Sequence, residues 1–272
     1  MKTALFNGQH LMKRTFDKTI CGNFGNFVLK IPLISFYGMM RLLTRHKKKI
    51  YWRQKFCNAI GKGGVVVDET GCEVVIPGVK VHVVGTGNRI VIDKRVNILK
   101  KGVISISIFG DNNTVIIGNI MVVNKLRLDF GDSSLFVHHS LMEIGSGTSM
   151  GDLAIQTSNS NATVKIGNDC MFSTGITVYH TDGHPVYDIK TGKIINKVGI
   201  LAIGNHVWVG KDALILKNVV IPDGCIIARN AVVTKKFDTP NSVIAGNPAA
   251  VKKTGIAWKS TDAAYYENNA EG

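Results

Sequence analysis

The stretch TDGHPVYD, residues 181–188, sets a histidine, His184, between two carboxylates, Asp182 and Asp188. An imidazole titrates near ~6.5, so at neutral pH its free nitrogen accepts a proton. A base placed beside a reacting hydroxyl is worth about 10²–10⁴ in rate. A neighbouring carboxylate can orient the ring, as in a catalytic triad, and either Asp182 or Asp188 has the chemistry for it. Pro185 fixes the backbone beside the histidine. The plain alternative is a histidine that simply faces solvent. Trp208 is the second such residue. It lies between Val207 and Val209, and side chains alternate along a strand, so two inward valines turn the indole outward. An outward indole either donates its N–H to a ligand or packs against another subunit. His206, two residues earlier, faces outward with it and is a rival base.

The elements that must position these residues show themselves as a rhythm. Ile203, Val209, Ile215, Ile221, Ile227 and Val233 are spaced six apart. Four residues after each of the first five comes an apolar or small residue: Val207, Ala213, Val219, Cys225 and Ala231. A period of six fits neither a helix nor a flat strand. It is the mark of a parallel β-helix, in which each hexapeptide is one short strand plus a corner. Three units close a triangular coil of about 18 residues, and one coil cannot bury its apolar face alone. Ile166, Phe172 and Val178 read as a further coil, with Cys170 in the small position, and Val84, Ile90 and Val96 as another. Between about 100 and 160 the beat is ragged, which predicts irregular β coils. Residues 179–200 carry no beat and are expected to form a loop expelled from the prism, with His184 in it. Insertions in a solenoid go outward, and outward loops are where function collects.

The charge is divided as sharply as the rhythm. Of a net +14, residues 1–62 hold 13 Lys and Arg against one acid, Asp17, which leaves the rest of the chain nearly neutral. The first segment, with FVLKIPLISFYGMMRLLTRHKKK at its centre, is expected to be basic, amphipathic and helical. Its longest uncharged run, IPLISFYGMM, is ten residues, against the ~20 needed to span a bilayer. No apolar stretch at the N-terminus has the length of a signal peptide. The basic segment is expected to make peripheral contact with an anionic membrane, where each Lys or Arg contributes about 1 kcal/mol; a solvated surface and an acidic polymer are the other readings. Nucleic acid is not expected, since no recognition motif accompanies the charge. The five cysteines are odd in number and scattered, which excludes a disulfide scaffold and points to a reducing cytoplasm.

The run IGNHVWVGKDALILKNVVIPDGCIIARNAVVTKKFDTPNSVIAGNPAAVKK resembles the terminal section of the left-handed β-helix acyltransferases, the hexapeptide-repeat family. TDGHPVYD followed by HVWVG is similar, more narrowly, to the branch that O-acetylates bacterial capsule and other surface glycans. The likeness is specific over about 160–255. It implies a mainly β fold, a left-handed parallel β-helix expected over 63–254; the lapse of the beat adds the protruding loop at 179–200, and composition adds a basic helical segment at 1–62 and a polar tail at 255–272. The likeness implies an acetyl-CoA-dependent O-acetyltransferase in which His184 is the general base of direct transfer and Trp208 donates to the acyl oxygen or the sugar; of the two carboxylates flanking His184, which the resemblance does not separate, Asp182 is expected to assist. The donor's pantetheine arm is expected along main-chain groups near Gly210, Ala213 and Ala231, with its phosphates near Thr234, Lys235, Lys252 and Lys253. The family often has Arg in that terminal segment, and Lys loses the bidentate fork. The resemblance further implies a homotrimer with sites between neighbours and a glycan acceptor; no metal is expected, and the cysteines and the basic segment lead to the expectation of a place in the cytoplasm at the inner face of the membrane. Three alternatives accompany it: another small acceptor such as an amino sugar or antibiotic, a non-catalytic scaffold, and a metal-dependent enzyme drawing on His138, His139, His180, His184 and His206.

Overall fold

A computed structural model describes residues 65–67, 71 and 74–261. The readings made for residues 1–62 fall outside them. The described chain is a stack of parallel strands wound as a three-faced prism, the left-handed parallel β-helix expected from the repeat. The first face carries seven strands in chain order: Val65–Val67, Arg89–Ile92, Thr114–Ile117, Leu141–Ile144, Thr163–Ile166, Ile200–Ile203 and Val220–Ile221. The second face includes Met171–Phe172, Trp208–Val209 and Ile226–Ile227, and the third Ile176–Tyr179, Leu214–Leu216 and Val232–Val233.

Each face contributes one inward column to the core. On the first, Ile92, Ile117, Ile144, Ile166, Ile203 and Ile221 stack in register. On the second, Val122, Met150, Phe172, Val209, Ile227 and Ile244 do so. On the third, Ile106, Leu128, Ile155, Val178, Ile215 and Val233 follow. All are buried, as are Val207, Ala213, Val219, Cys225 and Ala231 in the small positions. At about 1.5–3 kcal/mol per fully buried aliphatic side chain, these columns are what offsets the ordering of the backbone.

The hexapeptide coil is confined to the C-terminal end. Ile203 pairs with Ile221, eighteen residues on, whereas Ile92 pairs with Ile117, twenty-five on. The upstream coils are longer because their third face is built from extended strands such as Val103–Phe109, which alternates buried and half-buried residues along its whole length. Met121–Phe130 and Ser149–Thr157 run through the corner between the second and third faces. The ragged beat is therefore a change of period, from six to two. Val84, Ile90 and Val96 do not form a hexapeptide coil: Ile90 is buried, Val96 only half-buried, and Val84 ends the strand Val79–Val84 with its side chain exposed.

A recurring corner joins the first face to the second. Ile144-Gly145-Ser146, Ile166-Gly167-Asn168, Ile203-Gly204-Asn205 and Ile221-Pro222-Asp223 all occupy it. The polar side chain of each coil accepts an N–H from the coil before: Ser146 Oγ from Asn119 (3.1 Å), Asn168 Oδ1 from Ser146 (2.9 Å), Asn205 Oδ1 from Asn168 (2.9 Å) and Asp223 Oδ1 from Asn205 (2.7 Å). The glycines are required by close approach: a Cβ on Gly167 would stand 2.6 Å from the carbonyl of Gly204. The next position along the corner is left-handed in every coil, at Gly147, Asp169, His206 and Gly224.

Candidate functional site

The break in the rhythm is an outward loop. It leaves the third face after Tyr179 and rejoins the first face at Ile200. The loop is a small hairpin: Tyr187 bridges Ile194 in antiparallel fashion, Ile195 N–H donates to Val186 C=O, and Asp188 N–H to Lys193 C=O, both at 2.9 Å. Its tip exposes Tyr187, Ile189, Ile194 and Ile195. His184 lies on the first arm with its side chain exposed, and among the described residues its ring makes no hydrogen bond.

Neither carboxylate orients that ring. Asp182 Oδ2 accepts from Lys217 Nζ at 2.6 Å and from Asn196 Nδ2 at 2.7 Å. Partial burial pushes the Asp182 carboxyl up, but the bonds from Lys217 and Asn196 outweigh it and hold the group below its usual range. Asp188 accepts from the amide and hydroxyl of Thr191 and the amide of Lys190, closing the hairpin's own turn, and these donors lower its pKa too. The expectation that Asp182 assists the imidazole by contact gives way to an indirect connection. Asn196 Nδ2 also donates to the main-chain oxygen of His184 at 2.8 Å, and Asn196 Oδ1 accepts from Val186 N–H at 2.8 Å.

The base of the loop is closed by a histidine the sequence reading had set aside. His180 is fully buried, and its Nε2 meets the carbonyl of Gly199 at 3.0 Å across the two ends of the hairpin. Among the described residues its Nδ1 has no partner. Burial first, and then the Lys217 cation, lower its pKa, which fits a neutral ring donating from Nε2.

Trp208 projects from the second face, exposed at 37%, stacked in register between Met171 and Ile226. Behind it stands Trp258, ring centroids 6.1 Å apart and only 9% exposed. Residues 255–258 are therefore part of the prism, where a polar tail was expected from 255. Ile256 N–H donates to Asn241 C=O, and Trp258 Nε1 donates to the carbonyl of His206 at 2.9 Å. The ring of Trp258 lies flat on His206, centroids 4.1 Å apart. His206 in turn places Nδ1 2.7 Å from Asp169 Oδ2 and Nε2 3.0 Å from the Trp258 carbonyl. Both ring nitrogens face oxygen acceptors, so the candidate rival base is a clasp for the C-terminal segment.

The other expected positions divide in two. Gly210 N–H, Ala213 C=O and Ala231 C=O pair within the coil stack, with Ile227, Thr177 and Leu214. Their small size is set by packing: a Cβ on Gly210 would meet Arg229 N at 2.6 Å, and both alanines are buried. Lys235, Lys236, Phe237 and Asp238 line an open cavity of about 600 Å³ with Val220 and Val251. Lys235 Nζ stands 5.6 Å from the centre of the Phe237 ring. Thr234, Lys252 and Lys253 are exposed nearby in the chain, the lysines on the strand Ala249–Lys253 that contributes Val251. The remaining histidines are dispersed: His138 Nδ1 lies 3.3 Å from Asp111, and His139 sits at a corner in the left-handed conformation. Among the described residues no three His, Cys, Asp or Glu side chains converge as metal ligands, and no helix is long and apolar enough to cross a membrane.

The corner residues and the repeat now stand against known proteins. Residues 202–235 match the family described as bacterial transferase hexapeptide (six repeats). The chain is 35% identical over 128 residues to the polysialic acid O-acetyltransferase of Neisseria meningitidis, a stretch that is 41% of this chain and 59% of that one. It is 34% identical over 122 residues to the polysialic acid O-acetyltransferase of Escherichia coli O1:K1 / APEC, 44% of this chain and 39% of that one. The aligned stretch thus spans less than two thirds of either curated relative. In three dimensions the likeness runs further. The crystal structure of the polysialic acid O-acetyltransferase OatWY superposes with a TM-score of 0.56 at 27% identity, over 76% of this chain and 95% of that one. That of the polySia-specific acetyltransferase NeuO gives 0.57 at 28%, over 74% and 85%.

Proposed function

We propose that the protein is an acetyl-CoA-dependent O-acetyltransferase acting on a sugar hydroxyl of a bacterial surface polysaccharide or its precursor. The observation that carries this reading is the shared fold with OatWY along 95% of that chain's length. His184 is the general base. The acceptor oxygen attacks the thioester carbonyl while His184 takes the hydroxyl proton; collapse then breaks the C–S bond and the departing sulfur recovers a proton. The products are the acetyl ester and free CoA. The exposed, unbonded ring of His184 supports the role, since a base must be free to accept. Trp208 supplies an indole N–H to the acyl oxygen or the sugar.

Direct transfer without an acyl-enzyme is supported by the state of the described cysteines. Cys170 is buried, its thiol pushed up to about 11 by desolvation, and burial raises Cys225 as well. Neither offers a thiolate at neutral pH. The donor's phosphates and adenosine are assigned to the end of the prism, where Lys235 and Lys236 line the cavity and Thr234, Lys252 and Lys253 lie close in the chain. Its pantetheine is assigned to the outer wall of the last coils near Gly210, Ala213 and Ala231, whose small size is itself set by packing within the coil. The hairpin leaves the corner between the third and first faces, whereas Trp208 projects from the second. That separation supports sites shared between neighbouring protomers of a homotrimer, a ring closed by heterologous contacts. The basic segment 1–62 is assigned to peripheral contact with the inner face of the membrane, from the cytoplasm.

The test is transfer from acetyl-CoA to purified polysialic acid and to a panel of neutral and amino sugars, followed by thiol release. His184→Ala is expected to lose at least about a hundredfold in turnover with its thermal transition unchanged. Near-normal turnover in that variant removes the base assignment, and no transfer to any glycan by the unaltered protein removes the reading.

A further inference from the structure

We propose that Lys217 and Asn196 are positioning residues that set where the His184 imidazole stands; this rests on the reading of His184 as the base. Among the described residues the ring of His184 has no hydrogen bond of its own, so its place is set through its backbone. That backbone is held by one side chain. Asn196, on the returning arm of the hairpin, donates from Nδ2 to His184 C=O (2.8 Å) and accepts at Oδ1 from Val186 N–H (2.8 Å), so the His184-Pro185-Val186 turn is gripped from both ends. The same Nδ2 group donates to Asp182 Oδ2 (2.7 Å).

The hairpin is in turn fastened to the prism by the next coil. Tyr179 pairs with Leu216 on the third face, so Lys217 follows Leu216 just as His180 follows Tyr179, one layer further on. Its ammonium reaches Asp182 Oδ2 at 2.6 Å and the Asn196 carbonyl at 3.5 Å, with only 21% of the lysine side chain exposed. Asn218 completes the fastening: Oδ1 accepts from Gly199 N–H (2.7 Å) and Nδ2 donates to Lys197 C=O (2.9 Å). A regular coil element, which cannot move without disturbing the stack, thus fixes the hairpin. A base displaced by about 1 Å costs up to ~10²-fold in rate, and without the cation the Asp182–Asn196 pair loses its anchor on the prism.

The experiment compares Lys217→Met, Lys217→Arg and Asn196→Ala with the unaltered chain in two measurements. Amide hydrogen exchange reads the fastening directly and needs no substrate. Val186 and Gly199 are expected to exchange about tenfold faster in Lys217→Met and Asn196→Ala, with strands Thr163–Ile166 and Leu214–Leu216 unchanged. Steady-state kinetics with acetyl-CoA and polysialic acid read the consequence. A fall of about tenfold or more in kcat is expected with KM for acetyl-CoA within about threefold, and Lys217→Arg, which keeps the cation, is expected to recover most of it. Unchanged exchange at Val186 and Gly199 overturns the proposal, as does faster exchange with kcat intact. If the unaltered chain acetylates no glycan while exchange responds as described, the fastening of the hairpin stands and the acetyltransferase reading fails.

Discussion

Gly167→Ala is the most exposed consequence of the stacked-corner geometry. Gly167 has ordinary, not left-handed, backbone angles, so alanine brings no conformational penalty there and its effect is steric. A Cβ would stand 2.6 Å from both the carbonyl carbon and oxygen of Gly204 and 2.7 Å from Asn205 Oδ1, about 0.8 Å short of ordinary contact at 3.4 Å. The neighbours are backbone in the next coil and cannot rotate away. To admit the methyl group the coils must part, which stretches Gly167 N–H to Ile203 C=O (2.8 Å) and Asn168 N–H to Asn205 Oδ1 (2.9 Å). Overpacking costs about 1–3 kcal/mol and each weakened bond about 1 kcal/mol at most, so a loss of about 2–4 kcal/mol is expected. At ~2–4 °C per kcal/mol for a domain of this size, the thermal midpoint falls by about 5–15 °C. Gly199→Ala is the matched control. Its backbone is also ordinary, but its Cβ would meet only Asn218 Oδ1 at 3.6 Å, so the restricted unfolded chain should leave it neutral or about 0.4–1 kcal/mol more stable. Chemical denaturation of the three proteins decides it. A Gly167→Ala variant within about 0.5 kcal/mol of the parent, or a Gly199→Ala variant that loses as much, refutes the corner stacking.

Two further outcomes follow from the site. Trp258→Ala removes the stack on His206 and the bond to its carbonyl; limited proteolysis should then cut after residue 254, and the fluorescence of Trp208 should shift to the red, whereas a resistant C-terminal segment contradicts the clasp. The lowered pKa of buried His180 means the unfolded chain binds this proton more readily than the folded one. The stability it confers is therefore present above about pH 6.5 and lost as pH falls through the depressed folded value, with a slope of at most about 1.4 kcal/mol per pH unit. His180→Gln should flatten that slope between pH 7 and 5, measured as the thermal midpoint; an unaltered slope means the ring is not buried neutral.

What could be read in the chain before folding was set by how local the determinant is. The columns of Ile203, Val209, Ile215, Ile221, Ile227 and Val233 are legible because a hexapeptide repeats its own burial requirement every six residues. The loop at 179–200 is legible as the place where that requirement lapses. Upstream, strands of seven to ten residues replace the two-residue strands of the terminal coils, so the inward position recurs every second residue and a search for six misplaces Val84. The Ile-Gly-Asn corners were visible at 166–168 and 203–205, but their meaning depends on the coil above. Trp258 was missed because one aromatic residue in a polar stretch has no period at all, and its partner His206 lies 52 residues away.

Asp182 shows the same limit where it bears on chemistry. Two residues from His184, it has the sequence signature of an orienting carboxylate, and proximity in the chain favours that reading. Its actual partner, Lys217, is thirty-five residues on, brought to 2.6 Å only because the intervening loop is looped out and the next coil resumes directly beneath the one that was interrupted. A solenoid makes this a general expectation: residues that fasten an inserted loop to the prism lie one coil later, at the register of the insertion point, in addition to those in the loop's own flanks. In this chain that register is Leu216–Asn218, and both polar residues in it, Lys217 and Asn218, are bonded to the hairpin.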